Sequence, residues 1–176
     1  MRTAHPKTNK KLTPKKKVTN LQNIAEEPGI FYGASSYGIN MFPPFQGHRQ
    51  PSEMTPMEKW KLVRIGISKK DLEGLKEKTE LDYDNLSTAL SVTRATLINK
   101  KGNEKFSSSV SEAIVSLADI YAYGYEVFED EKNFNNWMFR SNKALGGEMP
   151  YALLDNQFGR EEVKNIIGRI DYGVHS

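Results

Sequence analysis

Histidine occurs three times in this chain of 176 residues, at His5, His48 and His175, and cysteine does not occur at all. Hydrolytic, nucleophilic or metal-assisted chemistry needs imidazoles, thiolates or carboxylates brought together at set spacings. The sequence contains no HExxH, GxSxG, GxxxxGK[ST] or GxGxxG. The acid pairs Asp130–Glu131 and Glu161–Glu162 are adjacent in sequence. Neighbours on a helix diverge by about 100° and do not face one another, so these pairs read as exposed helix turns and not as an acid and base or metal ligands. The residues argue against an enzyme, and no cofactor, metal or small-molecule substrate is expected.

Another set of residues has a spacing suited to recognition. Thr93, Arg94, Thr96, Asn99, Lys100 and Lys101 crowd into nine positions. Arginine can fork onto guanine, asparagine onto adenine, and hydroxyls or lysines onto phosphate. Residues 93–105 hold four basic residues against Glu104, a surplus of +3, although 67–105 hold eight against seven acids. Residues 106–136 carry six acids and Lys132, a net −5, and such a face would be turned away from phosphates.

Presenting those donors requires a short helix, a tight turn and a second short helix. Asp82 can cap "YDNLSTAL", Ser91 and Val92 can make the turn, and Thr93 can cap "RATLINKK". Leu97 and Ile98 are then expected to point into the core. The other reading of the same residues is a helical hairpin whose polar face is merely solvated. Upstream, Thr55, Pro56 and Glu58 form a capping box for a helix to Ile65 that Gly66 stops. Ser68 and Asp71 repeat the device for a helix carrying Ile67, Leu72 and Leu75. Downstream, Ser107–Ser109 open a longer helix with Val110, Ile114, Leu117, Ala118 and Tyr121 on one face, expected to end at Gly124. Further helices are expected from Asp130 through Trp137 and Met138, from Pro150 to about Leu154, and from Arg160 to Ile170. Nothing reads as a strand, so the expected fold class is all-α, with a helix-turn-helix domain followed by a small helical domain.

The N-terminal end has a different texture. Residues 1–17 carry seven Lys or Arg and no acid, and the remaining 18 basic and 22 acidic residues sum to −4, so the net charge of +3 belongs to this tail. So little apolar surface cannot offset the entropy of ordering, and the tail is expected to be disordered. It reads equally as a phosphate-seeking arm or a solubilising leader. Residues 18–51 mix Gly, Pro and aromatics and read as a linker. No apolar signal region or membrane-length stretch is present, so a cytoplasmic protein with no membrane partner is expected.

From Ile67 to Ser176 the chain resembles the Xre-type antitoxins of the MbcA, ParS and Xre family, the partners of RES-domain toxins. The residues that carry the resemblance are "LSVTRATLINKKG" and, above all, the pattern "ALGG..P..LLD...G...V...I.RI..G..S" near the end. It implies two modules, a helix-turn-helix that binds operator DNA of its own operon and a C-terminal helical domain that binds the toxin; with the tail and linker over 1–51 read from composition, the expected division is an Xre-like helix-turn-helix domain over 52–124 and a toxin-binding domain over 125–176. It also implies a cognate RES-domain toxin that is similar to ADP-ribosyltransferases and consumes NAD, so that NAD belongs to the partner.

The residues expected to face the toxin are Gly146, Gly147, Arg160, Arg169, Tyr172, Val174, His175 and Ser176. Ala144, Leu145, Leu153, Leu154, Ile166 and Ile167 are expected to be mostly core. Trp137 is read as a core tryptophan before an interface anchor. A homodimer is expected because operators are usually read as paired half-sites. The alternative is a DNA-binding transcriptional regulator whose C-terminal domain serves dimerisation only.

Overall fold

The computed structural model describes Met1 and Gln50–Gly173. The basic tail, nearly all of the linker, and Val174, His175 and Ser176 lie outside the described residues. Gln50–Gly173 fall within one compact unit. Its elements are α1 (Pro56–Ile65), α2 (Lys69–Thr79), α3 (Tyr83–Ala89), α4 (Arg94–Ile98), α5 (Ser108–Phe128), α6 (Glu131–Met138) and α7 (Gln157–Asp171). Short 3₁₀ turns occupy Pro51–Glu53, Lys143–Leu145 and Pro150–Leu153. Among the described residues there is no strand, only an isolated antiparallel bridge between Ser68 and Lys105. The fold is all-α, as the apolar spacing implies.

The helix starts follow from local chemistry. The Thr55 side chain accepts from the Glu58 amide while Glu58 reaches back to the Thr55 amide, and Ser68 with Asp71 closes the same reciprocal pair for α2. Asp82, Thr93, Ser107 and Asp130 cap α3, α4, α5 and α6. Gly66 stops α1 with φ +84°, a region that favours glycine. The Lys105 ammonium donates to the Ile65 and Gly66 carbonyls at 3.0 Å each, which satisfies groups the end of α1 leaves open.

α5 is the element on which the others pack. α7, α1, α6, α2 and the Pro51–Glu53 turn all contact it. Its Ile114, Leu117, Ala118 and Tyr121 are fully buried, together with Leu72, Leu75, Leu86 and Leu97 from α2, α3 and α4 and Val163 and Ile167 from α7. Asp119, nearly buried on α5, pairs with Lys59 of α1 at 2.7 Å and Lys164 of α7 at 2.6 Å, so one carboxylate ties three helices.

Four expectations are corrected. Gly124 does not end α5, which continues to Phe128 and stops at Glu129 in the left-handed conformation. The glycine is there for space: a Cβ on it would lie 2.1 Å from Cε2 and 2.2 Å from Cζ of Phe134. The division drawn between residues 124 and 125 therefore falls inside a continuous helix. The last helix begins at Gln157 and not at Arg160, so Gly159 is its third residue. Asn156 caps α7 by accepting from the Gly159 amide at 3.0 Å, and a Cβ on Gly159 would meet the Leu153 carbonyl oxygen at 1.9 Å. Ile98 is 43% exposed where a core position was expected, because α4 is only five residues long and Leu97 alone fills the core from its end. Ala144 is exposed and Leu153 only partly buried, whereas Leu145, Leu154, Ile166 and Ile167 are core as expected.

Candidate interaction surfaces

α3 and α4 pack against each other across the turn at Ser91 and Val92. Ser91 adopts φ +51°, and the Ser91 and Val92 amides donate to Thr88 and Ser87 carbonyls at 3.0 Å, so the chain reverses within two residues. Thr93 accepts from the Thr96 amide at 3.2 Å, and the two hydroxyls lie 2.8 Å apart. Thr93, Arg94, Thr96, Asn99 and Lys101 are exposed, and Lys100 is half-buried with its ammonium 5.7 Å from the Phe106 ring centroid. All six expected donors thus sit on or beside one short helix.

Arg94 is not idle. Its Nη1 donates to both carboxylate oxygens of Asp84 at 3.0 Å, bracing α4 against α3. Both side chains are more than half exposed, and such a pair contributes little, so a stronger acceptor can take the guanidinium.

A residue that sequence reasoning missed holds α4 from behind. Lys69 is only 4% exposed; its ammonium donates to the Leu97 carbonyl at 2.9 Å and to the Tyr83 hydroxyl at 2.5 Å, and lies 4.2 Å from the Tyr83 ring centroid. A buried cation is stable only when its protons are satisfied, and here it serves a carbonyl at the end of α4. Lys69 is the first residue of a capped helix, where a lysine ordinarily faces water, so spacing carried no signal of this role.

The C-terminal segment holds α3 and the turn that follows it. The Tyr151 hydroxyl donates to the Asn85 carbonyl at 3.0 Å and accepts from its side-chain amide at 3.4 Å. The Ser91 hydroxyl donates to the Asp155 carbonyl. Arg160, expected outside, is 7% exposed: its Nη1 donates to the Leu154 carbonyl at 3.0 Å and the Ala89 carbonyl at 3.5 Å, with Glu112 at 3.9 Å. The correction has a simple cause. The Pro150–Leu153 turn folds back over the start of α7 at Gly159, and the neighbouring side chain is covered with it.

Gly146 and Gly147 have φ +69° and +96°, and a Cβ on either would meet nothing within 4 Å. Backbone conformation therefore demands glycine here, and close approach does not. The Ser141 hydroxyl donates to the Gly147 carbonyl and the Gly147 amide to the Asn142 carbonyl, closing a loop that is open to solvent. Arg169 and Tyr172 are exposed as expected. Trp137 is packed and half-buried, 5.4 Å from Phe128 and 5.7 Å from Phe134 between centroids. The exposed Phe139, Met149 and Phe158 were not foreseen as surface features. Near the end of α7, the Tyr123 hydroxyl donates to Asp171 at 3.0 Å; burial first, and then that carboxylate, push the phenol up to about 12.

Among the described residues, no three His, Cys, Asp or Glu side chains are arranged to hold a metal, and no helix is long and apolar enough to cross a membrane. What the geometry offers is hydrogen-bond donors on a short helix and a helical segment with exposed aromatics.

Comparison with known proteins bears on the second of these. Residues 124–173 match the family described as the antitoxin Xre/MbcA/ParS C-terminal toxin-binding domain. The chain is 32% identical over 76 residues to Antitoxin Xre of Photorhabdus laumondii, which covers 43% of this chain and 51% of that protein, so the match spans about half the relative's length. It is 25% identical over 143 residues to the Prs ADP-ribosylating antitoxin of a Sphingobium species, covering 75% of this chain and 89% of that protein. It is 23% identical over 116 residues to Antitoxin Xre of Yersinia enterocolitica, covering 65% and 78%.

Proposed function

We propose that this chain, which resembles the Xre-type antitoxins and matches their C-terminal toxin-binding domain over residues 124–173, is the antitoxin of a toxin–antitoxin system. The observation that carries the proposal is that match. It binds its toxin through the C-terminal segment and acts by stoichiometric contact, without catalysis of its own. The resemblance gives the toxin as a RES-domain protein that consumes NAD, held inactive when the end of this chain restricts entry to its active site.

In the same proposal the chain represses its own operon as a homodimer. α4 enters the major groove, with Arg94 and Asn99 on base edges and Thr93, Thr96, Lys100 and Lys101 on phosphates. The exposure of Arg94, Asn99 and the two threonines on the α3–turn–α4 unit supports this reading, and the weak Arg94–Asp84 pair can be exchanged for a base. In this reading the acidic residues Glu126, Glu129, Asp130 and Glu131, on and after the end of α5, are turned away from the DNA.

The test uses the full chain and the RES-domain protein encoded beside it. Inhibition of NAD consumption at a fixed ratio of the two proteins is the expected result; unaltered NAD consumption with excess chain would refute the antitoxin reading. Substituting Arg94→Ala and Asn99→Ala together should abolish sequence-specific operator binding and leave that inhibition intact. Each bidentate base contact is worth about 1–3 kcal/mol, so the pair should cost at least about tenfold in affinity.

A further inference from the structure

We infer that the outward face of α7 is where the toxin docks, with Phe158 as its anchor; this rests on the antitoxin reading above. α7 divides its residues cleanly. Gly159, Arg160, Val163, Ile166 and Ile167 are buried toward α5 and the Pro150–Leu153 turn. Phe158, Glu161, Asn165, Arg169 and Tyr172 are exposed and recur every three or four positions, so they line the opposite face.

Phe158 is 81% exposed and Tyr172 83%, well beyond every other exposed large apolar side chain between Gln50 and Gly173. Fourteen residues at about 1.5 Å each place the two rings roughly 20 Å apart on nearly the same side. Between them lie Glu161 and, at the edge, Glu162, and then Arg169. An aromatic ring left in water beside polar neighbours gains most when a partner desolvates it, and aromatic anchors ringed by polar side chains characterise protein interfaces.

The occupant follows from two observations. The stripe lies wholly within residues 124–173, the segment matched to a toxin-binding domain. Its charges then fix the chemistry of the opposing surface: an apolar pocket for Phe158, basic side chains facing Glu161 and Glu162, and an acid facing Arg169. Arg160 serves by holding the start of this helix in place and does not touch the toxin, since its guanidinium is engaged with the Leu154 and Ala89 carbonyls. Met57 and Trp60, the next most exposed at 59% and 58%, lie on α1, outside the matched segment, and serve as controls.

The decisive experiment is calorimetric titration of the neighbouring RES-domain protein with the full chain and with Phe158→Ala, Tyr172→Ala and Met57→Ala. Phe158→Ala should weaken binding about 30-fold or more and Tyr172→Ala by a smaller factor, with unchanged melting temperatures and with Met57→Ala binding like wild type. Exchanging Glu161→Lys and Glu162→Lys should slow association and remove much of its salt dependence. Wild-type affinity in both aromatic variants would overturn the inference while leaving the antitoxin reading standing. Loss of self-association in Phe158→Ala with toxin affinity unchanged would assign this face to a second copy of the chain and also overturn it. Failure of the unmodified chain to bind the RES-domain protein would remove the antitoxin reading and this inference together.

Discussion

Replacing Gly124 with alanine sets two well-calibrated effects against each other. Alanine is favoured over glycine within a helix by about 1 kcal/mol, and α5 runs four residues past this position, so propensity alone predicts a more stable protein. The space beside it predicts the reverse. The new methyl would lie 2.1, 2.2 and 2.6 Å from three atoms of the Phe134 ring. That ring is fully buried, with centroids of Tyr121 at 5.3 Å, Tyr125 at 5.4 Å, Phe128 at 5.3 Å and Trp137 at 5.7 Å around it. It cannot move by the 1 Å or more required without giving up edge-to-face contacts, each worth about 0.5–1.5 kcal/mol. Overpacking of a filled core costs about 1–3 kcal/mol, and disrupting two of those contacts adds about 1–3 kcal/mol more. Against the helical gain, the net expectation is a loss of about 1–5 kcal/mol. Urea unfolding followed by far-ultraviolet circular dichroism and tryptophan fluorescence measures it directly. Phe134→Leu should be costly alone, yet in its background Gly124→Ala should cost far less, a coupling that only adjacent groups produce. A midpoint for Gly124→Ala equal to or above wild type would refute the packing argument.

Two further outcomes test other parts of the molecule. Arg160→Met keeps the length of the side chain but leaves the Leu154 carbonyl without its charged donor; the expected loss is about 1.5–3 kcal/mol in thermal unfolding, against less than about 0.5 kcal/mol for Arg169→Met on the exposed side. Equal effects of the two would contradict the buried role of Arg160. The Tyr123 phenol ionises at about 12 in the folded chain against 10 when unperturbed, so its neutral form is favoured by folding. The stability it contributes is complete below about pH 10 and is lost as pH rises toward about 12. Spectrophotometric titration near 295 nm should show the Tyr123 signal, identified by difference from Tyr123→Phe, moving to lower pH in Asp171→Asn; no movement would exclude the carboxylate as a cause.

Much of the fold could be read locally, and the reason is physical. A capping box is a matter of residues three apart, so Thr55 with Glu58 and Ser68 with Asp71 announced α1 and α2 without knowledge of anything distant. Thr93, Ser107 and Asp130 did the same for α4, α5 and α6, and the absence of alternating apolar runs pointed to an all-helical chain. The "ALGG..P..LLD" pattern near the end was specific enough to suggest the family to which residues 124–173 match.

Tertiary structure decided what each residue is for. Gly124 looked like a stop because glycine weakens helices, but whether a helix ends depends on what packs against it, and Phe134 arrives there from another helix. Arg160 was placed outside by its charge, and only the fold-back of the Pro150–Leu153 turn covers it and turns it toward Leu154 and Ala89. Lys69 was one more lysine at a helix start until Tyr83 and Leu97 closed around its ammonium. Phe158 drew no notice for the opposite reason, since an aromatic beside a helix start is ordinarily taken as core. Local sequence thus determined which segments are helices and where most begin, because caps and apolar periods act over three or four residues. Apolar faces also followed from that spacing, but which glycines, charged residues and aromatics are covered and which are left for a partner was decided by contacts between separate elements, which periodicity does not encode.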